Sequence, residues 1–219
     1  MELIQKYFSD FTPQQLKQLA ALKELYKEWN EKINVISRKD IDNFYLHHVL
    51  HSLTIATQFN FKKGMQIMDL GCGGGFPGVP LAIFFPDSNF HMVDSINKKL
   101  TVIKEVSAAI GLTNISTQHR LTNISTQHSR AEDIKNRKFD TVVSRAVAPL
   151  KDLLQWSKPL IKKNKQTEAD EPNGLICLKG GDLTREIFES GAKPFVWDIY
   201  SLFPEEHFKE KYMLYVIQK

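Results

Sequence analysis

The chain is short of cysteine, of long apolar runs and of one-sided charge, and each shortage removes a class of protein. Two cysteines in 219 residues, Cys72 and Cys177, give no disulfide framework, which fits a reducing compartment. No apolar run approaches the roughly 20 residues that cross a bilayer, and Met1-Glu-Leu-Ile-Gln-Lys-Tyr7 lacks the layout of a secretory leader. A cytoplasmic protein without membrane contact is expected. Lys and Arg number 29 against 25 Asp and Glu, a formal charge of +4, which permits a polyanionic partner without demanding one. His47 and His51 stand four apart, but the Glu of a zinc-binding helix motif is missing and no third ligand follows. No metal is expected.

What remains is an ordinary globular composition, 42% hydrophobic and 25% charged over 219 residues, ample for one large domain or a domain with an appendage. Thr12-Pro-Gln-Gln15 reads as a capping box. Leu16, Leu19, Leu22, Leu25, Trp29 and Ile33 then recur at helical spacing. A second helix is predicted from about Ile41 to Gln58. From residue 65 the pattern alternates. Strands are predicted at 65–70, 89–94, 139–144, 174–179, 195–200 and 212–217, and helices at 78–85, 97–110, 149–161 and 182–189. That alternation, with continuous apolar strands, argues a parallel sheet covered on both faces, with room for an antiparallel strand at one edge. Trp156, Trp197 and the aromatics after Pro194 read as strand core. Lys162–Pro172 reads as an exposed loop. The octapeptide Leu112–His119 recurs verbatim as Leu121–His128. Only one copy is needed as a strand, and the second is expected to pair, leaving the first as an insertion.

The most informative stretch is Asp69-Leu-Gly-Cys-Gly-Gly-Gly-Phe-Pro-Gly78, set between an apolar run and Val79-Pro-Leu-Ala-Ile-Phe-Phe85. Strand, glycine turn and helix start make a cradle of backbone N–H groups for a nucleotide-like ligand. Gly73-x-Gly75-x-x-Gly78 satisfies the dinucleotide fingerprint, so NAD(P) and S-adenosylmethionine are both candidates. The order Asp69-x-Gly71-x-Gly73 favours S-adenosylmethionine, whose ammonium group an acid at the strand tip helps to hold. Pro77 would fill the first helical position. Asp94, closing the next strand, suits ribose hydroxyls of either cofactor.

Asp69–Pro80, Val93-Asp-Ser95, Ser129-Arg-Ala-Glu-Asp133, Ser144-Arg-Ala146 and Leu178-Lys-Gly-Gly181 follow in order. Together they closely resemble the bacterial guanine-N7 methyltransferases of small-subunit ribosomal RNA, the methyltransferase G family (glucose-inhibited division protein B). Trp29-Asn…Ile33-Asn34 and His48 resemble it too. The resemblance implies a Rossmann-like α/β methyltransferase fold, with a mostly parallel seven-stranded sheet, helices on both faces and an N-terminal helical appendage. The division would be residues 1–60 and 61–219. It implies S-adenosylmethionine as cofactor and small-subunit (16S) ribosomal RNA or a ribosomal particle as partner, for a monomeric enzyme. Gly71, Gly73 and Phe76 would line the methionine and adenosine pocket, Ala131 and Glu132 would border the adenine, and Arg145 would lie by the cofactor and the target base as the catalytic residue. Where the family usually has Arg-His-x-x-Asp-Ser, this chain reads His47-His-Val-Leu-His-Ser52.

The residues suit N7 chemistry. Guanine N7 has a lone pair and no proton, so alignment rather than a general base is required. After the fourth strand stands Ser144-Arg-Ala-Val147, without the Pro-Pro motif of amine methyltransferases and without a cysteine for covalent attack. N7 faces a groove that side chains cannot read in A-form RNA, so the target should be unpaired or splayed out. Lys62, Lys63, Lys98, Lys99, Lys162, Lys163, Lys165 and Lys179 are candidate phosphate contacts. An NAD(P)-dependent oxidoreductase and a non-catalytic RNA-binding relative of the same fold are the competing readings.

Overall fold

The computed structural model describes residues 1–37, 39–116, 119–135, 137–163 and 173–218, with backbone alone over 113–116 and 119–122. Lys165 and most of the predicted 162–172 loop lie outside the described residues. After α1 (Glu2–Tyr7), a short helix not predicted, α2 (Pro13–Lys32) opens on the predicted capping box. Thr12 Oγ1 accepts from Gln15 N at 3.3 Å and Gln15 Oε1 accepts from Thr12 N at 2.8 Å. Gln15 Nε2 also donates to Ile83 O and Phe84 O, so one side chain caps a helix and fastens it to the next layer. Leu19, Leu22 and Tyr26 are fully buried along the apolar stripe.

The predicted helix at 41–58 is shorter and irregular. It runs as a π-helical Tyr45–Leu50, an α-helical His51–Leu53 and a 3₁₀ Thr54–Thr57, together called α3 here. No sequence period encodes a π turn. It sits where the backbone of His47 meets Arg145, as described below. The remaining helices are α4 (Gly78–Phe84), α5 (Asn97–Ala109), α6 (Leu150–Ser157), α7 (Thr184–Ser190) and a further unpredicted turn, α8 (Ile199–Leu202). Pro77 is the N-cap of α4 rather than its first helical residue.

Among the described residues nine strands follow in chain order: β1 (Gln66–Leu70), β2 (Asn89–Asp94), β3 (Thr113–Ser116), β4 (His119–Thr122), β5 (Ile124–His128), β6 (Thr141–Arg145), β7 (Gly174–Gly180), β8 (Phe195–Asp198) and β9 (Lys211–Ile217). Seven of them form one sheet in the order β5-β2-β1-β6-β7-β9-β8. The first five are parallel, while β9 runs antiparallel to β7 and β8 to β9. The second repeat copy supplies β5, which pairs parallel to β2 with Ile124 opposite Phe90. The first copy joins β4 in a separate antiparallel hairpin, Thr113 opposite Thr122.

Alternation along the strands divides the core between the two faces. Ile67, Phe90, Met92, Val143 and Met213 join a cluster with Leu19, Leu22, Tyr26 and Phe44 of the N-terminal helices. Met68, Leu70, Val93, Val142 and Leu175 join Leu150 and Leu153 of α6 on the other face. The edge strand β8 departs from the predicted aromatic core: Phe195 is 55% and Val196 48% exposed, because β8 ends the sheet and pairs with β9 on one side. Strand order reverses at β1, flanked by β2 and β6. In such sheets the ligand crevice opens beyond the carboxyl ends of the strands at that reversal.

Candidate functional site

A cleft of about 870 Å³ opens at that point, and a second cavity of about 250 Å³ adjoins it. Gly71, Asp94, Ser95 and Val147 line both. Gly71 adopts φ +66°, and a Cβ there would meet Val147 Cγ2 at 2.6 Å. The turn therefore needs glycine for its conformation and for space. Gly78 is needed for contact, since a Cβ would stand 2.7 Å from Asp69 Oδ2. Tyr26, from α2, donates its hydroxyl to Gly74 O at 2.6 Å and fixes the back of the turn.

The two acids have different surroundings. Asp94 is nearly buried, and its carboxylate accepts from Gly73 N and Ile96 N, each at 2.8 Å. It bridges the glycine turn and the start of α5 while facing both cavities. Asp69 is fully buried beneath the turn and lines neither. Its Oδ2 accepts from Gly78 N at 2.8 Å, at the start of α4, and its Oδ1 has no partner. Burial pushes its pKa up to about 7, against the opposing Gly78 N–H and Arg145. Sequence spacing identifies this acid but not its confinement.

Arg145 ends β6 and reaches into the large cleft. Nη1 donates to His47 O and Nη2 to His48 Nδ1, both at 3.0 Å. The guanidinium lies 5.2 Å from the Phe76 ring centroid, in cation–π range. Burial lowers its pKa to about 10, with Asp69 pulling the other way. Both hydrogen bonds run to neutral acceptors, so the charge is held in place without being cancelled. Because the guanidinium can only donate, His48 Nδ1 must accept, which puts the ring proton on Nε2. Burial, and then Arg145, drive the His48 pKa down to about 3. Phe76 is 4% exposed beneath Tyr26, Phe44 and His48. It supports the Arg145 guanidinium and also lines the large cleft. The next residue, Ala146, has φ +53°, a left-handed conformation costing a non-glycine residue about 1–2 kcal/mol. Such strain gathers at ligand sites.

Ala131 and Glu132 line the smaller cavity together with Trp156 of α6. Trp156, predicted as strand core, lies on a helix and faces this cavity because α6 packs beside the 3₁₀ turn Ala131–Asp133. Cys72 and Cys177 are buried, and burial raises both thiols, Cys177 to about 12. The lysines separate by strand polarity. Lys98, Lys99 and Lys179 lie at the carboxyl ends of the strands. Lys62, Lys63, Lys162 and Lys163 adjoin the amino ends of β1 and β6, on the opposite rim. His207 and Lys211 of the cleft wall escaped sequence reasoning, since nothing local marks a ring whose partners His47 and His51 lie more than 150 positions away or a lysine brought in by strand pairing.

The seven-stranded order, the glycine turn and the acid at the second strand define an S-adenosylmethionine-dependent methyltransferase fold. An S-adenosylmethionine-dependent O-methyltransferase from Thermotoga maritima superposes with a TM-score of 0.59 at 15% identity, covering 82% of this chain and 69% of that one. A mutant of MtNAS in complex with S-adenosylmethionine superposes with a TM-score of 0.57 at 12% identity, covering 92% and 74%. Within that class the sequence is decisive: the model of the rRNA small subunit methyltransferase G family matches residues 15–196, and the chain belongs to this family. The ribosomal RNA small subunit methyltransferase G of Phocaeicola vulgatus is 54% identical over 218 residues, covering 99% of this chain and 98% of that protein. Its counterpart from Bacteroides fragilis is 53% identical over 216 residues, covering 99% of each. Among the described residues no group of three or more His, Cys, Asp or Glu could hold a metal ion, and no helix is long and apolar enough to cross a membrane.

Proposed function

We propose that this protein transfers a methyl group from S-adenosylmethionine to N7 of an unpaired guanine in small-subunit (16S) ribosomal RNA, free or in a ribosomal particle, acting as a cytoplasmic monomer. The carrying observation is the pair of joined cavities at the β1/β6 reversal, with Asp94 on their shared wall and Arg145 facing the larger one. The residues suit the cofactor. Asp69 Oδ1, buried and unpartnered, is an acceptor left for the ammonium group. Asp94 has lone pairs to spare for ribose hydroxyls. Gly71 and Gly73 offer bare backbone, and Ala131, Glu132 and Trp156 form a slot of about 250 Å³ for the adenine. Residues 61–219 form the methyltransferase domain, and residues 1–60 an appendage that covers one sheet face and braces the glycine turn.

S-adenosylmethionine, when bound, supplies an electrophilic methyl on a sulfonium. The protein's part is positioning, which can account for much of the rate. N7 needs no proton removed, in keeping with thiols held protonated by burial. The product ring gains positive charge, so Arg145 does not serve at N7 itself. Its planar fork suits guanine O6, a phosphate or the methionine carboxylate. Lys99, on the cleft wall, and Lys98 beside it in α5 are the phosphate contacts of choice, since Lys179 is paired with Glu186. Tritiated-methyl transfer to bacterial small-subunit RNA and particles, followed by mapping of the labelled nucleotide, tests the reading. Label at a position other than guanine N7, or no label with either substrate, would refute it. Tighter binding of NADH than of S-adenosylmethionine would favour an oxidoreductase instead.

A further inference from the structure

The cleft wall formed by α3 and the segment before β9 is rich in imidazole, which methyl transfer to N7 does not call for. His47 and His207 stack with ring centroids 3.8 Å apart and planes 14° from parallel. His47 Nδ1 meets Asp40 Oδ1 at 2.8 Å, and His51 meets the edge of His207 at 6.1 Å. Nε2 of His51 and of His207 is buried with no partner. Both rings line the same cleft as Lys211. Two orphaned ring nitrogens beside a lysine lack a partner, and an anionic oxygen would supply one to a protonated ring nitrogen.

Charge leads the same way. Four cations line the cleft (Lys99, Arg145, Lys179 and Lys211) against three carboxylates, Asp40, Asp94 and Glu186. Lys179 is already paired with Glu186 at 2.6 Å. Leaving the imidazoles out of the count, the cleft is close to balanced, a weak seat for a polyanion. Further positive charge can come only from the rings. His207 is held down, at about 4, first by burial and then by His47, Lys211 and Arg145, with Asp40 alone opposing. Glu206, next to it in the chain, is engaged by Lys209 at 2.8 Å. An anion seated beside the stack would offset those neighbouring cations.

We propose that the His47–His207 stack and Lys211 form a subsite for one backbone phosphate of the substrate RNA, and that seating this phosphate draws a proton from solvent onto the imidazole pair. The inference rests on the RNA reading of the cleft. No covalent bond changes; the complex gains one solvent proton as the phosphate enters. RNA affinity therefore strengthens as pH falls.

The test uses the full chain without cofactor and a fluorescein-labelled, guanine-containing single-stranded RNA 12-mer, titrated by fluorescence anisotropy at constant ionic strength. Between about pH 8 and pH 6 the affinity should strengthen about five- to ten-fold, within the tenfold per pH unit that one linked proton allows. Calorimetry in buffers of different ionisation heat should register proton uptake. His207→Phe and His47→Phe keep a stacking ring without a titratable nitrogen, and should flatten the profile to less than about twofold. Should a ring variant melt early, His207→Gln serves in its place. A flat wild-type profile, or an unchanged slope in the variants, overturns the proposal and leaves the RNA reading standing. The same slope for S-adenosylmethionine without RNA would link the proton uptake to seating of the cofactor carboxylate rather than of an RNA phosphate, and would also overturn it. Absence of RNA binding at every pH would remove both.

Discussion

Replacing Asp69 with Asn should make two stability profiles cross between about pH 4 and pH 7. The wild-type side chain is fully buried, and burial raises its pKa from 3.8 to about 7. An acid whose folded pKa lies above the unfolded value holds its proton more tightly in the folded state. Its stabilising contribution is complete below the unfolded pKa and is lost as pH climbs to the folded one. A separation of about three pH units corresponds to about 4 kcal/mol. Asn keeps an oxygen for Gly78 N, at 2.8 Å in the wild type, but sets an amide NH₂ where Oδ1 has no partner. That costs about 1–3 kcal/mol at any pH. Above about pH 7, where the wild type carries a buried carboxylate, the variant should be the more stable by about 1–3 kcal/mol. Below about pH 4 the order should reverse. Urea unfolding of both proteins without cofactor, across a series of buffers, measures the difference directly. Parallel profiles over the whole range would falsify the buried, proton-holding carboxyl.

Arg145→Lys should lower methyl transfer by at least about a hundredfold with an unchanged melting temperature, because one ammonium cannot reach His47 O and His48 Nδ1 together as the fork does; rapid-quench single-turnover assays decide it. Asp94→Asn should weaken S-adenosylmethionine binding more than tenfold by calorimetry, since an amide cannot accept from both Gly73 N and Ile96 N; an affinity within twofold of wild type would count against the shared-wall role. Tyr26→Phe strips the Gly74 carbonyl of its 2.6 Å partner and should cost about 1–3 kcal/mol in denaturant unfolding. Lys99→Ala should reduce the salt slope of RNA binding by about one, while Lys163→Ala on the far rim should leave it unchanged.

Much of this architecture was legible because its signals are local. The capping box at Thr12, the order Asp69-x-Gly71-x-Gly73, and an acid closing β2 at Asp94 each need only a few neighbouring residues to state their geometry. The repeat was legible for a related reason: the copy that flows into Ser129-Arg-Ala-Glu-Asp133 had to be the one in the sheet. What escaped depends on distant partners. The π turn at Tyr45–Leu50 lies where α3 meets an arginine about 100 residues away. Asp69 reads as an acid at the strand tip beside the turn; that it is fully buried, in a strand between β2 and β6 and with one oxygen taken by Gly78 N of α4, needs the assembled sheet. Phe76 reads as pocket lining and does line the cleft, but its place under Arg145 depends on a residue about 70 positions away. Lys62, Lys63 and Lys162 carry the right charge at the wrong end of the strands, which only sheet polarity reveals. β8 is rich enough in aromatics to pass for core, but an edge strand leaves half of them in water.

The phenolic bond from Tyr26 to the glycine turn also bears on how this polypeptide acquires competence. Without α2, Leu19, Leu22 and Tyr26 would be missing from the core and the carbonyl at Gly74 would lose its partner. The turn would then have to be stiffened by its own ligand, at the expense of affinity. Rigidity at the carboxyl end of the central strand is thus supplied by α2, 48 residues upstream of the turn it steadies.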